Sequence, residues 1–598
     1  MNRAHQSLYS KIFLIGCAFI CAQFLIIVRL GYLQITLEQI LLAKSRHNFL
    51  RYETIASLRG NILDSSGKLI ATNRPVVNIY WKGSGARNLT DEHKKILEQL
   101  ESITQEPLLE PAQTITAAER KAQTILLVKD VNFELLSKIA ELFSTHSSIV
   151  IKTDFIRFYP YDSLASHVLG YLGTHEHTWI GKTGLEKACE DLLQGKAGIN
   201  QKILNSFGKH LEEKEIEEGL PGQDIVLTLN LALQQIAESL FPEGKRGAFI
   251  LMDPQDGSIL VALSRPDFNP NLFLEKMDLD AWRDMKEKKP FMNRIFNSTY
   301  PPGSIFKLVT LSTALELGYI DQSTQTHCAG SVIAGERKFR CNNKDGHGTL
   351  TVARSIAKSC NVLFYKLAKK MDIDDLARYA GYFGLGKTTN SGFNESLGLI
   401  PTRKWKRAKT GDRWWQGDTL SANIGQSYLL VTPIQIARMV GSIETGYLVT
   451  PRIVQNSPVT CEPLAINPTT RSFLQETMLA VVQEGTAHVL NTMTDFTIRA
   501  KTSTAQTSAL EKRDMGEEFL EHGWAAINFR YKNNPPLTLV IIVENAGGTR
   551  MPLMVAKTFM KSYKKLLDSE QKKRALDEPV NFLKTEITNS DVINLPLP

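Results

Sequence analysis

Three short clusters of residues in this chain could do chemistry together. The first is Ser304-Ile305-Phe306-Lys307, which sets a hydroxyl and an amine three residues apart. A Pro-Pro-Gly loop at 301–303 precedes it and an apolar run over 308–317 follows. That arrangement predicts Ser304 at the N-terminus of a helix, with Lys307 about one turn on and on the same face. A serine hydroxyl is a weak nucleophile until a base takes its proton, and a lysine can be that base when burial or a nearby cation lowers its pKa. The helix N-terminus favours the negative charge that then develops. Ser-x-x-Lys by itself carries little, because it occurs six times here, starting at Ser65, Ser206, Ser304, Ser355, Ser562 and Ser569. The other two clusters are Ser359-Cys360-Asn361 and Lys501-Thr502-Ser503-Thr504. Each alone is a common peptide, at home in a surface turn or a strand edge.

A fourth cluster has the composition of a metal site. Cys328, Cys341, His347 and Cys360 are separated by 12, 5 and 12 residues, while Cys17, Cys21, Cys189 and Cys461 lie elsewhere. Three thiolates and an imidazole suit a closed, tetrahedral structural zinc site. A Cys328–Cys341 disulfide competes with it if this part of the chain lies in an oxidising compartment.

The surrounding elements can be read from periodicity. Residues 90–100 and 132–143 read as helices, and 76–81 as a strand. A turn and an alternating strand are predicted over 219–230. Two apolar runs within 247–266 flank Asp256-Gly257 and read as a hairpin. Further strands are expected over 499–506, 523–531 and 537–544, and an amphipathic helix over 556–567. Strands early and late with helices between them predict an α+β domain whose antiparallel sheet joins both ends of the segment. The stretch between Cys328 and Cys341, and the one after it, reads as loop and turn.

Composition sets the compartment and excludes some functions. A chain of 598 residues allows about four domains, fewer if they are large. Seven cysteines cannot build a disulfide framework. A net charge of +8 with no dense basic run argues against nucleic-acid binding. Residues 12–28 hold no charge and one polar side chain, Gln23, and 30–33 can lengthen the run to a span. A small-residue cleavage pattern is missing just after it, so an uncleaved anchor is expected over 12–33. Arg3 and Lys11 precede the span, which predicts a cytoplasmic tail over 1–11 and the bulk outside. A mixed α/β pedestal is expected over 34–218, a catalytic domain over 219–570, and a polar, loosely ordered tail over 571–598.

Taken in order, the three clusters match the serine acyl-transferases that react with penicillin. The flanks make the match specific. The chain resembles the class B penicillin-binding proteins, and most closely their elongation type. Arg59 to Asp64 (RGNILD), Arg157-Phe158-Tyr159-Pro160, His167 to Tyr171 (HVLGY) and Gly184-Leu185-Glu186 resemble that family's pedestal motifs. Trp415-Gln416-Gly417-Asp418, Gly425-Gln426 and Thr432 to Gln435 (TPIQ) resemble the stretch before its last motif. The elongation type is indicated by the Tyr-Pro-Pro-Gly before Ser304 and by Pro401 to Trp405 (PTRKW).

The resemblance implies a transpeptidase domain with a five-stranded antiparallel sheet, and a serine-type D-Ala-D-Ala transpeptidase or carboxypeptidase that needs no cofactor for its chemistry. Ser304 would attack the penultimate D-Ala carbonyl, and Lys307 would accept its proton. Lys501 would help hold Lys307 neutral by repulsion. Ser359 would relay a proton to the leaving amine, and Asn361 would orient the substrate amide and Lys307. The backbone N–H groups of Ser304 and Thr504 would form the oxyanion hole, and the Thr502 and Thr504 hydroxyls would bind the substrate carboxylate. Structural zinc at the cysteine cluster is also implied for this type. The expected partners are peptidoglycan stem peptides, the lipid-linked precursor, the bacterial inner membrane, a polytopic glycan polymerase, rod-shape elongation proteins, and β-lactams as covalent inhibitors. A β-lactam-hydrolysing or β-lactam-sensing protein is the alternative. Two positions depart from the family. Ser503 and Ser427 stand where glycine is usual, and a side chain at 503 could narrow the substrate groove or add a hydroxyl contact.

Overall fold

The structure is a computed structural model. It describes the chain except for residues 1, 40, 42–49, 56, 145, 176–177, 205–209, 276–279, 281, 284–286, 288–289, 507–514 and 578–598. The N-terminal helix α1 (Asn2–Gly31) runs on through one π-helical turn, Tyr32–Thr36. The segment Lys11–Thr36 is long and apolar enough to cross a membrane. The chain forms two compact units that interleave in sequence rather than meeting at one boundary. Leu63–Lys68 and Tyr161–Ala188 belong with Val226–Pro598, whereas Met1–Ile62, Leu69–Pro160 and Cys189–Ile225 form the other unit.

In the first unit a long strand, β1 (Leu69–Lys82), is the organising element. Helix α2 (Asp91–Thr104) starts at Thr90, whose side chain accepts from the His93 N–H. Strand β2 (Thr124–Val128), helix α3 (Phe133–Phe143, capped by Asn132) and strand β3 (Ile149–Phe158) follow. Both β2 and β3 pair antiparallel with β1. Ile79 and Trp81 of β1 are buried with Ile96 and Leu100 of α2, Leu127 of β2, and Ile139 and Phe143 of α3. Large apolar side chains of this kind contribute about 1.5–3 kcal/mol each when fully buried. The buried Trp81 indole donates to Glu119 at 2.9 Å, so its one polar atom is satisfied. Two of the motif residues serve this unit. The Arg59 guanidinium holds Glu190 in a two-point ion pair (2.7 and 3.1 Å), and Arg157 donates to the Gly60 carbonyl at 2.7 Å.

The second unit is built on a sheet. Strands β4 (Gly247–Met252) and β5 (Ile259–Arg265) form the hairpin expected around Asp256-Gly257, and Gly257 turns the chain at a left-handed φ of 78°. The strand expected over 219–230 is reduced to Ile225–Val226. Beyond it, Leu227 bridges Val454, and Asn230 already caps the helix Leu231–Leu240. Helix α4 (Lys307–Glu316) follows the Ser304 turn. The predicted loop between the cysteines is two nested hairpins. Strand β6 (Gln325–Cys328) pairs with β9 (Gly348–Thr351), and within them β7 (Ser331–Ala334) pairs with β8 (Arg337–Arg340). Helices α5 (Val352–Ala357), α6 (Asn361–Ala368) and α7 (Pro433–Thr445) come next. Strands β10 (Phe496–Ala505), β11 (His522–Tyr531) and β12 (Leu537–Val543) complete an antiparallel sheet in the order β5-β4-β12-β11-β10.

Every residue of β4 and β12 is buried, because the sheet is covered on both faces. Helix α7 packs on β11 and β12, and so does the last helix, α8 (Arg550–Asp577). Two-sided burial is why β12 reads as an unbroken apolar run rather than an alternating one. Its one buried hydroxyl, Thr538, donates to Asn528 of β11 at 2.7 Å, and Asn528 donates to the Val440 carbonyl of α7 at 2.9 Å. Helix α8 is longer than the 556–567 expected and takes in 571–577, the start of the expected loose tail. Pro552 sits in its first turn, where a missing N–H costs nothing.

The motif residue His167 lies in this unit, on the short helix Ser166–Leu169. It is buried, its Nε2 is 2.6 Å from the Pro290 carbonyl, and its ring meets Phe268 edge-on. Burial pushes its pKa down to about 4, helped by Arg294 and Arg265 and opposed by the Pro290 bond. The unfolded chain binds that proton near pH 6.5, so between pH 6.5 and 4 the unfolded state holds more protons and stability falls on acidification. The lost contribution reaches roughly 3 kcal/mol by pH 4. Thermal melts between pH 7 and 4 are expected to show a smaller loss of Tm in His167→Gln than in the native chain. Parallel curves would show that His167 does not carry this part of the acid sensitivity.

Candidate active site

The three motifs arrive from three different elements. Ser304 sits in a 3-10 turn, Gly303–Ile305, that feeds directly into α4 at Lys307. The helix proper thus opens three residues later than the sequence suggested, and Ser304 remains one turn before its first residue. Ser359 lies between α5 and α6 with a left-handed φ of 53°, an uncommon backbone for serine that aims its side chain at the Ser304 turn. Asn361 opens α6. Lys501, Thr502, Ser503 and Thr504 lie on β10, the edge strand of the sheet. The Ser304 turn packs against this strand.

Ser359 Oγ is the point where the three motifs meet. It donates to Ser304 Oγ at 2.9 Å, and the Lys307 and Lys501 amines each approach it at 3.3 Å. Lys307 also donates to the Ser359 carbonyl at 2.8 Å and to Asn361 Oδ1 at 2.7 Å, and lies 5.3 Å from the centre of the Phe364 ring. Lys501 donates to the Thr502 carbonyl at 2.9 Å. Both lysines are fully buried. Burial pushes the Lys307 pKa down to about 8, against a partial rise from the negative charge of Cys360 and Cys341. Lys501 is pushed well down, first by burial and then by repulsion from Lys307. Repulsion between the lysines was expected to act on Lys307, but here burial is the first cause at both, and the repulsion adds to it at Lys501.

The remaining β10 residues divide by exposure. Thr504 is exposed, while Thr502 is buried with its Oγ1 2.6 Å from Thr486 Oγ1. Thr486 was not singled out from the sequence, and nothing in its local pattern marks it. Ser503 is buried, and its Oγ accepts the Ser304 N–H at 2.8 Å. Ser427, the other departure from glycine, has a left-handed φ of 70°, so the backbone there keeps the conformation that glycine adopts without strain. Gly425 before it cannot carry a Cβ, which would strike the Gly303 carbonyl. Of the other Ser-x-x-Lys serines, Ser355 is buried in α5, Ser562 and Ser569 lie in α8, Ser65 lies in a turn, and Ser206 falls outside the described residues.

Directly beside Asn361 lies the cysteine cluster. The ligand atoms of Cys328, Cys341, His347 and Cys360 all lie within 4.8 Å of one another. Cys328 Sγ and Cys341 Sγ are 3.5 and 3.6 Å from His347 Nδ1, and Cys341 Sγ is 3.8 Å from Cys360 Sγ. All three cysteines are free thiols here rather than half-cystines. Ligands at about 2.3 Å on the corners of a tetrahedron lie roughly 3.8 Å apart, so the donor set and its spacing fit a closed zinc site. The Cys341 thiol is pushed down by a hydrogen bond shared with Cys360 and by the Asn361 N–H, which points at its sulfur from 3.3 Å.

Comparisons with known proteins agree with one another. A family model described as the penicillin binding protein transpeptidase domain matches residues 247–563, and one for the penicillin-binding protein dimerisation domain matches 54–227. The chain is similar to the peptidoglycan D,D-transpeptidase MrdA of Acinetobacter baumannii, with 29% identity over 90% of this chain and 85% of that protein. The protein of the same name from Escherichia coli K12 is 28% identical over 84% of this chain and 86% of its own length. Among solved structures, PBP2 of Helicobacter pylori in complex with MreC superposes with a TM-score of 0.74 at 28% identity, covering 86% of this chain and 99% of that one. A chain of a peptidoglycan synthase complex that coordinates polymerization and crosslinking gives 0.71 at 30% identity, covering 92% and 98%. With its catalytic unit matched from the first sheet strand to the last helix, this chain belongs to the penicillin-binding protein transpeptidase family, as a class B member of the elongation (PBP2) type.

Proposed function

We propose that the chain is a peptidoglycan D,D-transpeptidase that cross-links stem peptides in cell-wall elongation through an acyl-enzyme on Ser304. The observation that carries this reading is the Ser359 hydroxyl, hydrogen-bonded to Ser304 Oγ and approached by both buried amines. A neutral Lys307 keeps two N–H donors for the Ser359 carbonyl and Asn361 Oδ1 and turns its lone pair toward Ser359, whose O–H swings from Ser304 to the amine while the Ser304 O–H turns to Ser359 Oγ. Ser304 then loses its proton through Ser359 to Lys307 while its oxygen attacks the carbonyl carbon of the penultimate D-Ala. The backbone N–H groups of Ser304 and Thr504 take the oxyanion. As the C–N bond to the terminal D-Ala breaks, the proton returns by way of Ser359 to the leaving amine. An amine of a neighbouring stem resolves the ester by the reverse path and forms the cross-link. Thr504, exposed at the open edge of the sheet, is placed to meet the substrate carboxylate. Thr502, paired with Thr486, supports the strand from below.

The anchor fits a lipid-linked substrate. With Arg3 and Lys11 before the span, the short tail lies in the cytoplasm and the bulk of both compact units lies in the periplasm. The similar proteins solved with MreC and within a peptidoglycan synthase complex support rod-shape proteins and a glycan polymerase as partners. The resemblance to D,D-transpeptidases over most of their length disfavours a β-lactam hydrolase or sensor. Zinc held by Cys328, Cys341, His347 and Cys360 would take no part in bond making. It would fix the start of α6, where Cys360 and Asn361 are adjacent, and so fix Asn361 against Lys307.

Two outcomes are expected. Ser304→Ala is expected to abolish covalent labelling by a fluorescent penicillin while leaving the thermal melt unchanged, and Lys307→Ala to slow labelling by at least about 10²-fold. Labelling of Ser304→Ala at the native rate would move the nucleophile elsewhere. Elemental analysis of protein purified without chelator is expected to find about one zinc per chain, with most of it lost in Cys341→Ser. Under one-tenth equivalent, with Cys328 and Cys341 recovered as a disulfide, would remove the metal.

A further inference from the structure

The strand residue before Thr504 is where this chain departs from its family, and its hydroxyl has a definite place. Alternation along β10 puts Ser503 on the same face as Lys501, toward the nucleophile turn. The pairing Ser503↔Trp524 within the sheet fixes that face. Ser503 is 1% exposed and its Oγ accepts the Ser304 backbone N–H at 2.8 Å. The turn is shaped around this oxygen. Gly303 has a left-handed φ of 50°, and a Cβ there would strike Ser503 Oγ. The hydroxyl is therefore held between strand and turn, on the one donor that the nucleophile contributes to the oxyanion hole.

We propose that Ser503 is a gate on the oxyanion hole, with its hydroxyl occupying the Ser304 N–H in the resting enzyme so that it must be displaced before each acylation. The inference rests on the transpeptidase reading above. An N–H already engaged by a neutral oxygen cannot give its full strength to a second acceptor, and the Ser503 lone pairs face the position where negative charge develops. Rotation of the Ser503 side chain to another staggered well frees the donor. A glycine imposes no such step. The gate acts at the carbonyl oxygen common to every substrate and every β-lactam, so its effect is independent of the groups the ligand carries elsewhere. A side chain that merely narrowed the groove would discriminate by ligand size instead. Ser503 is thus a positioning residue for the oxyanion donor, not a reacting group.

Ser503→Ala removes the hydroxyl and keeps the Cβ, and Ser503→Gly removes both. Acylation rate constants for small and bulky penicillins, measured beside thermal melts, separate the cases. The expected result is a gain of about 2- to 10-fold in both variants, the range set by losing one neutral hydrogen bond. The gain is expected to be equal for small and bulky ligands, and to come with a Tm at or below that of the native chain. Faster acylation in a less stable protein is the reverse of what loss of a merely structural contact gives. Rates in Ser503→Ala equal to or below native would overturn the gate, and so would a gain seen only in Ser503→Gly or only with bulky ligands. If neither the native chain nor the variants label while all remain folded, the acyl-enzyme reading has failed and the gate with it. Labelling that depends on Ser304 but is unmoved by Ser503→Ala sinks the gate alone.

Discussion

Two fully buried lysines lie side by side, and the rest of the catalytic unit is arranged to make that possible. A buried ammonium is expensive, and two within reach of one hydroxyl are more so. The cost is met by removing charge and by supplying acceptors. Lys307 has two carbonyl oxygens, one from the Ser359 backbone and one from the Asn361 side chain, and Lys501 has the Thr502 carbonyl. None of these acceptors is a carboxylate, and at Lys307 only the nearby Cys360 and Cys341 oppose the lowering by burial. The same burial that makes the pair unfavourable for stability brings the Lys307 pKa down to about 8.

That arrangement demands rigid supports on every side. The edge strand β10 is fixed through β11 and β12 to a sheet buried on both faces, so Lys501 and Ser503 are placed by long-range pairing and not by a loop. Helix α4 is buried along most of its length and carries Lys307 at its first turn. The third support is weakest in ordinary packing. Ser359 and Asn361 sit between short helices, beside hairpins of four-residue strands. There the three thiols and the imidazole converge, and Asn361 touches the cluster through its backbone N–H. A tetrahedral tie at that point would do for the second motif what the sheet does for the third.

Local rules are broken where the chemistry is. Ser359 and Ser427 adopt left-handed backbone that serine seldom takes, and two lysines are fully buried. Elsewhere the helices follow their caps: Thr90, Asn132, Asn230 and Thr432 each accept an N–H of the first turn. Left-handed non-glycine backbone also occurs away from the site, at Gln105, Ala122, Ala165 and Lys532 among others, so the pair of fully buried lysines is what sets the site apart.

By itself the sequence determined the three motifs that meet at the site, the α+β class, the apolar N-terminal span and the family. These are local or ordered signals: motif order, strand and helix periods, and an uncharged run long enough for a bilayer. The four metal-type ligands were legible for the same reason, as residue types at suggestive spacing. Only the tertiary structure decided how the groups act on one another. Periodicity cannot show that the Ser359 hydroxyl, 55 residues from Ser304, lies between it and both amines, since that depends on a turn at positive φ meeting a strand from the far end of the domain. Nor could it show that Thr486 stands under Thr502. The substitution at Ser503 was visible as a departure, but whether its hydroxyl faced the groove or the Ser304 N–H depended on the register of β10 against β11 and on the turn at Gly303.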